Sequence, residues 1–137
     1  MDVYNEIEKT MKIESYRDLR VYQAAIKAAL RVFEITKAFP AEEKYSMTDQ
    51  MRRSSRSVCS NIGEAWRRRR YKAAFIAKLN DSETEATETQ VWLELAFLSG
   101  YISEDTYNEM YAEYESITAQ LVVMINQPEK WIIKPQT

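Results

Sequence analysis

Between Gln50 and Asn80 the chain sets nine basic residues, Arg52, Arg53, Arg56, Arg67, Arg68, Arg69, Arg70, Lys72 and Lys78, against one acidic residue, Glu64. The segment therefore carries +8 and leaves −10 for the rest of a 137-residue chain whose net charge is −2. A polyanion answers to the local field and not to the total, so an acidic protein can still hold one on such a segment. Arginine dominates the set, and its planar fork suits bidentate contact with phosphate and stacking on bases. Arg52, Arg53, Arg56, Arg67, Arg68, Arg69, Arg70 and Lys72 are the candidate nucleic-acid contacts. Phosphate contacts carry little sequence information, so weak sequence preference is expected of RNA or DNA alike.

Catalytic chemistry has no comparable support. The chain has no histidine, and Cys59 is its one cysteine, so no intrachain disulfide can form and the thiol lacks the usual base for nucleophilic catalysis. A buried helical side chain is the expected role of Cys59. Carboxylate di-metal bundles use Glu-x-x-His pairs, which are absent; Glu85 and Glu88 with Glu64 fit better as partners of arginine or of Asn61 than as ligands. No glycine-rich phosphate loop occurs either. No enzyme activity, catalytic residue, metal or cofactor is expected.

The elements that position the arginines follow from period. From Ser15, the residues Leu19, Tyr22, Ile26, Ala29 or Leu30, and Phe33 recur at steps of three and four, which is one helical stripe stopped by Pro40. Ser46 or Thr48 can cap a second helix with the stripe Met51, Ser55, Val58, Ile62, Ala65 and Trp66. A third runs from about Tyr71 through Phe75, Leu79, Ser82, Ala86, Leu93 and Phe97 to Gly100, placed as its C-terminal cap. Ser103 caps a fourth, whose seam is Tyr107, Met110, Tyr114, Ile117, Leu121 and Met124. The fold class is all-α, an antiparallel up-and-down four-helix bundle. It comprises a short N-terminal extension (1–14), the bundle (15–127) and a C-terminal tail (128–137), whose Trp131, Ile132 and Ile133 should dock on this bundle or on a neighbour. The acidic N-terminus lacks a signal-peptide core and no apolar run nears the ~20 residues of a membrane span, so a cytoplasmic protein without membrane contact is expected.

At ~100° per residue, Arg52, Arg53, Arg56, Arg67 and Arg70 share an arc of about 100° if the second helix continues to residue 70. The apolar stripe of that helix lies on its other side. Trp66 and Tyr71 flank the arginine run, with Trp66 in phase with the core. A structural role competes with binding: the glutamates of the third and fourth helices, or of a neighbouring subunit, can pair with Arg52, Arg53 and Arg56. Four consecutive arginines point around a helix in all directions, so at least two of Arg67 to Arg70 should meet solvent.

Several stretches resemble the bacterial four-helix-bundle family encoded in 23S rRNA intervening sequences. They are Tyr16-Arg17-Asp18-Leu19-Arg20-Val21-Tyr22, Phe39-Pro40, Gln50-Met51-Arg52-Arg53-Ser54, Ser60-Asn61-Ile62-Gly63-Glu64-Ala65, Phe75-Ile76-x-Lys78-Leu79 and Glu85-Ala86-x-Glu88-Thr89-x-x-Trp92-Leu93. The resemblance runs from about Tyr16 to Tyr101. It implies a homo-oligomer, commonly a homopentamer, with a proposed role in binding RNA. Related accessory proteins of diversity-generating retroelements imply nucleic acid and a reverse transcriptase as partners. The dense arginine run and the acidic extension depart from both. Within the matching motif, Asn61, Glu64, Glu85 and Glu88 are expected to form a structural polar layer that fixes register or a subunit contact, and Gly63 to mark a close backbone approach.

Overall fold

The computed structural model describes residues 12–134. Its helices α1 (Arg20–Thr36), α2 (Met47–Arg67), α3 (Lys72–Leu98) and α4 (Glu104–Asn126) follow one another through short connections, and no strand occurs among the described residues. Each packs on its neighbour in sequence and α1 closes against α4. This is a four-helix bundle with up-and-down connectivity. Most of the expected N-terminal extension, residues 1–11, lies outside the described residues; Ile13 packs on the core.

Local chemistry explains the boundaries. Asp18 accepts from the Ser15 N–H at 3.0 Å and Ser15 Oγ from the Arg17 N–H at 3.1 Å, which sets a 3-10 turn (Tyr16–Asp18) ahead of α1. At the end of α1, Thr36 Oγ1 donates back to the Val32 carbonyl at 2.8 Å, four residues before Pro40. Ser46 occupies the cap position of α2 but makes no capping hydrogen bond, because its backbone (φ −125°, ψ −106°) departs from the extended form that caps adopt. Thr48, the alternative cap, is buried inside the helix. Gly100 ends α3 at φ +79°, where its N–H reaches the Phe97 carbonyl and the Tyr101 N–H reaches that of Ala96, both at 2.9 Å. Ser103 then caps α4 by accepting from the Thr106 N–H at 3.1 Å.

The core joins Met51, Val58, Ile62 and Ala65 of α2, Phe75, Leu79, Ala86 and Leu93 of α3, and Met110, Tyr114, Ile117 and Leu121 of α4. On α1 the structure corrects the expected stripe. Leu19 is buried, but the face turned inward is Val21, Ala25, Ala28 and Val32, while Tyr22, Ile26, Ala29 and Phe33 are only half-buried and Leu30 is exposed. Small side chains let one helix approach others closely, whereas larger ones one position along splay outward beside the contact. Phe97 yields its expected core place to Ala96 and stacks on Tyr107, ring centroids 5.1 Å apart. At Gly63 no other helix backbone comes close within the chain: a Cβ there would meet the Tyr16 ring at 3.9 Å, an ordinary contact. The tail docks on its own bundle, with Pro128 buried and Trp131 and Ile132 against the core.

Gly100→Ala meets no atom within 4 Å, so its cost is the left-handed backbone alone: about 1 kcal/mol lost in urea unfolding, with helical dichroism unchanged. Cys59 is buried, and desolvation of the thiolate lifts its pKa from 9.0 to about 11. Between those values the unfolded chain releases a proton that the folded one keeps, so stability is full below pH 9 and falls as pH rises toward 11. Cys59→Ser or Cys59→Ala should flatten that limb of the pH–stability curve, and wild-type Cys59 should resist alkylation at neutral pH until the protein unfolds.

Candidate nucleic-acid interface

The arginine segment is divided by the place where α2 stops. The helix ends at Arg67, and Arg68 to Arg70 form a turn in which Arg68 N–H reaches the Ala65 carbonyl and Tyr71 N–H the Arg68 carbonyl, both at 3.0 Å. Arg70 therefore does not continue the stripe predicted for it. The turn reverses the chain into α3, and a straight helix through residue 70 would carry Phe75 and Leu79 away from the core they occupy.

Within α2 the three mid-helix arginines take different partners, because Arg52 and Arg53 lie ~100° apart around the axis. Arg52 turns toward α1, where its Nε donates to Thr36 Oγ1 at 2.9 Å and its guanidinium lies 4.6 Å from the Phe33 ring centroid. Arg56 lies over the same ring at 5.9 Å. Arg53 turns toward α3, where it pairs with Glu85 at 3.4 Å and with Glu88. Arg53 thus has an intrachain structural role, as the competing possibility allowed. Lys44, Tyr45, Thr48, Asp49, Ser57 and Ser60 join the three arginines around an open groove of about 610 Å³. Lys44 and Tyr45 sit outside the basic segment, in the connection before α2, and no spacing in the sequence signals that they come near it.

At the turn, Arg67, Arg68 and Arg70 are exposed and form no ion pair among the described residues. Arg69 differs. Its guanidinium lies 3.5 Å from the Trp66 ring centroid, its Nε donates to the Trp66 carbonyl at 2.8 Å, and desolvation together with the neighbouring Arg67 charge lowers its pKa. Lys72 pairs with Glu129 of the tail at 2.6 Å, and the Ile133 N–H donates to the Arg69 carbonyl at 2.9 Å. The tail thereby straps the turn. Cations near the C-terminus of α2 complement its dipole, and α3 begins at Lys72 with Tyr71 in the cap position, no side-chain capping bond and no acid in its first turn. Its free N–H groups add to the positive field beside the arginines.

The four polar residues expected in one layer fall into separate places. Glu64 pairs with Lys78 at 3.3 Å, Glu85 and Glu88 pair with Arg53, and Asn61 is half-buried. Eleven residues separate Arg53 from Glu64, ~16 Å of helix, so one layer cannot hold both. The buried polar contacts between α2 and α3 belong instead to Ser54 and Thr89, whose hydroxyls meet at 2.8 Å, and to Ser82, which donates to the Val58 carbonyl at 2.9 Å. No group of three acidic or cysteine side chains that could hold a metal ion occurs among the described residues.

Fold and site together define a helical bundle with a cationic turn, with no constellation of reacting groups among the candidate residues. The family model for 23S rRNA-intervening sequence proteins matches residues 17–123, and the chain belongs to that family. It is similar to a solved protein of unknown function from the S23 ribosomal protein family of Bacteroides thetaiotaomicron, with 33% identity over 77% of this chain and 95% of that one and a TM-score of 0.70. No curated protein matches the chain.

Partnering predicts unequal costs of truncation. Arg68→Ala and Arg70→Ala should leave urea stability within about 0.5 kcal/mol, as surface substitutions do. Arg69→Ala removes a cation–π contact and a hydrogen bond and should cost about 1–2 kcal/mol. Equal effects at the three positions would contradict the division of the turn.

Proposed function

We propose that the chain is a non-enzymatic, oligomeric bundle that binds RNA or DNA through the α2–α3 turn. The observation that carries this is Arg67, Arg68 and Arg70, exposed and without acidic partners among the described residues, beside the uncapped N-terminus of α3. Arg56 and Arg52, about 16 and 22 Å back along α2 from Arg67, extend the surface, separations of roughly five and seven phosphates at ~3.4 Å each. Arg53, Arg69 and Lys72 hold the scaffold through their intrachain partners, and Arg52 shares that role through its bond to Thr36.

Self-association belongs to the same proposal. An apolar groove of about 520 Å³, lined by Tyr22, Ile26, Ala29, Leu30, Phe33, Arg56, Cys59 and Ser60, lies open on one face, and Val91, Leu95 and Leu98 are exposed on α3. Apolar surface of this kind supports contact between copies. The family resemblance suggests a homopentamer, in which five turns on one particle would combine weak phosphate contacts. The second reading is a structural or protein-interaction bundle, for example a partner of a reverse transcriptase, whose arginines form intersubunit ion pairs; the intrachain pairing of Arg53 with Glu85 and Glu88 supports the structural part of it.

Binding measured against salt tests the first proposal. Each phosphate contact adds roughly −0.9 to the log–log slope on duplex DNA and −0.7 on single strands, so Arg67→Ala, Arg68→Ala and Arg70→Ala together should flatten it by about 2 to 3. An unchanged slope in a folded triple variant, or no binding by the wild type at low salt, hands the segment to protein interaction. Light scattering should give a multiple of 16.1 kDa, and a monodisperse monomer at tens of micromolar removes the oligomer.

A further inference from the structure

We infer that the cleft between the α2–α3 turn and the C-terminal tail seats an unpaired nucleobase, which makes the ligand a single strand and not a duplex. The inference rests on the nucleic-acid surface proposed above and specifies the form it takes. The cleft has a volume of about 310 Å³ and is lined by Trp66, Arg67, Arg69, Arg70, Tyr71 and Ile133. Pockets for small ligands run from about 300 to 1,000 Å³, so this one matches a single base or nucleotide and is too small for a helix to enter.

Its walls are built for a flat ring. Arg69 cannot swing away, because its Nε is held by the Trp66 carbonyl at 2.8 Å and its guanidinium by the indole at 3.5 Å. A guanidinium plane fixed on an indole offers a stacking surface for a base. Tyr71, 67% exposed, makes no side-chain hydrogen bond or ring contact among the described residues, so its ring is available to a base. Ile133 supplies an apolar wall and is positioned by its N–H bond to the Arg69 carbonyl and by the Lys72–Glu129 pair. Arg67 and Arg70 line the same cleft, where they can meet the phosphates on either side of a seated base. In a duplex both faces of each base are covered by its neighbours in the stack, so only an unpaired base can present a face here.

Stacking accepts any base, which agrees with a site that has no groups arranged to read base edges. Arg69 and Trp66 act together: the Trp66 carbonyl holds the arginine Nε and the indole lies against its guanidinium.

Three oligonucleotides of one length, a uridine or thymidine homopolymer, an abasic strand with the same phosphates and a duplex, test the inference at one low salt concentration. The wild type should bind the base-bearing strand about tenfold more tightly than the abasic one, within the effect expected for one stacked base, and more tightly than the duplex. Tyr71→Ala should remove that preference and Tyr71→Phe should keep it, both with unchanged helical dichroism. The triple arginine variant should weaken all three ligands while leaving the base-over-abasic ratio in place. Equal binding of abasic and base-bearing strands by the wild type, or a preference that survives Tyr71→Ala, overturns the base seat and leaves the phosphate surface standing. Binding to none of the three overturns both.

Discussion

The α2–α3 interface is the constraint on which the rest of this bundle depends. Two buried hydrogen bonds, Ser54 to Thr89 and Ser82 to the Val58 carbonyl, cross it, and two sets of ion pairs, Arg53 with Glu85 and Glu88 and Lys78 with Glu64, border it. A hydroxyl buried without a partner costs about 1–3 kcal/mol, so sliding one helix past the other would cost Ser82 its acceptor, while Ser54 and Thr89 would keep only the Met51 and Glu85 carbonyls of their own helices. The surface ion pairs add little individually, because their side chains are 23–55% exposed. Register therefore comes from the packed apolar side chains of both helices together with the buried hydroxyls, and the charged pairs follow it.

Fixed register determines where the arginines go. With α3 antiparallel and closely packed, the chain must reverse immediately after Arg67, and it does so through arginines and without glycine. Three of those side chains are left in solvent while Arg69 folds back over Trp66. The tail completes the turn through Glu129 and Ile133, so residues more than 50 positions apart in sequence make one surface. A local concentration of positive charge is unfavourable to folding, and the Lys72–Glu129 pair and the α2 dipole offset part of it.

The α1 side shows a related division. Small residues, Ala25 and Ala28, bring α1 against the bundle, and this displaces Tyr22, Ile26 and Phe33 to the margin of an open groove. Arg52 and Arg56 bring their guanidinium groups to 4.6 and 5.9 Å from the Phe33 ring centroid, which places the charges beside the ring. Cationic and apolar surface thus meet along a single edge, where a polyanion and a second protein chain would be neighbours.

The helix count, the Gly100 and Ser103 caps, the inward stripe of α2, that of α4 from Met110 to Met124 and the acid–base asymmetry were legible in the sequence, because these depend on contacts within a few residues and on a period of 3.6; Tyr107 of the expected seam is only half-buried. The sequence also marked the family, through motifs spaced along Tyr16 to Tyr101. Tertiary structure decided what periodicity cannot rank. On α1 two adjacent stripes were both apolar, and close packing chose the smaller one, Val21 to Val32. Ser54 and Thr89, 35 positions apart, became the buried polar contact in place of a single layer of Asn61, Glu64, Glu85 and Glu88. The arginines look alike in a string of letters; α1, α3 and the tail each claimed some of them, and only the packing of those distant elements left Arg67, Arg68 and Arg70 exposed beside Tyr71.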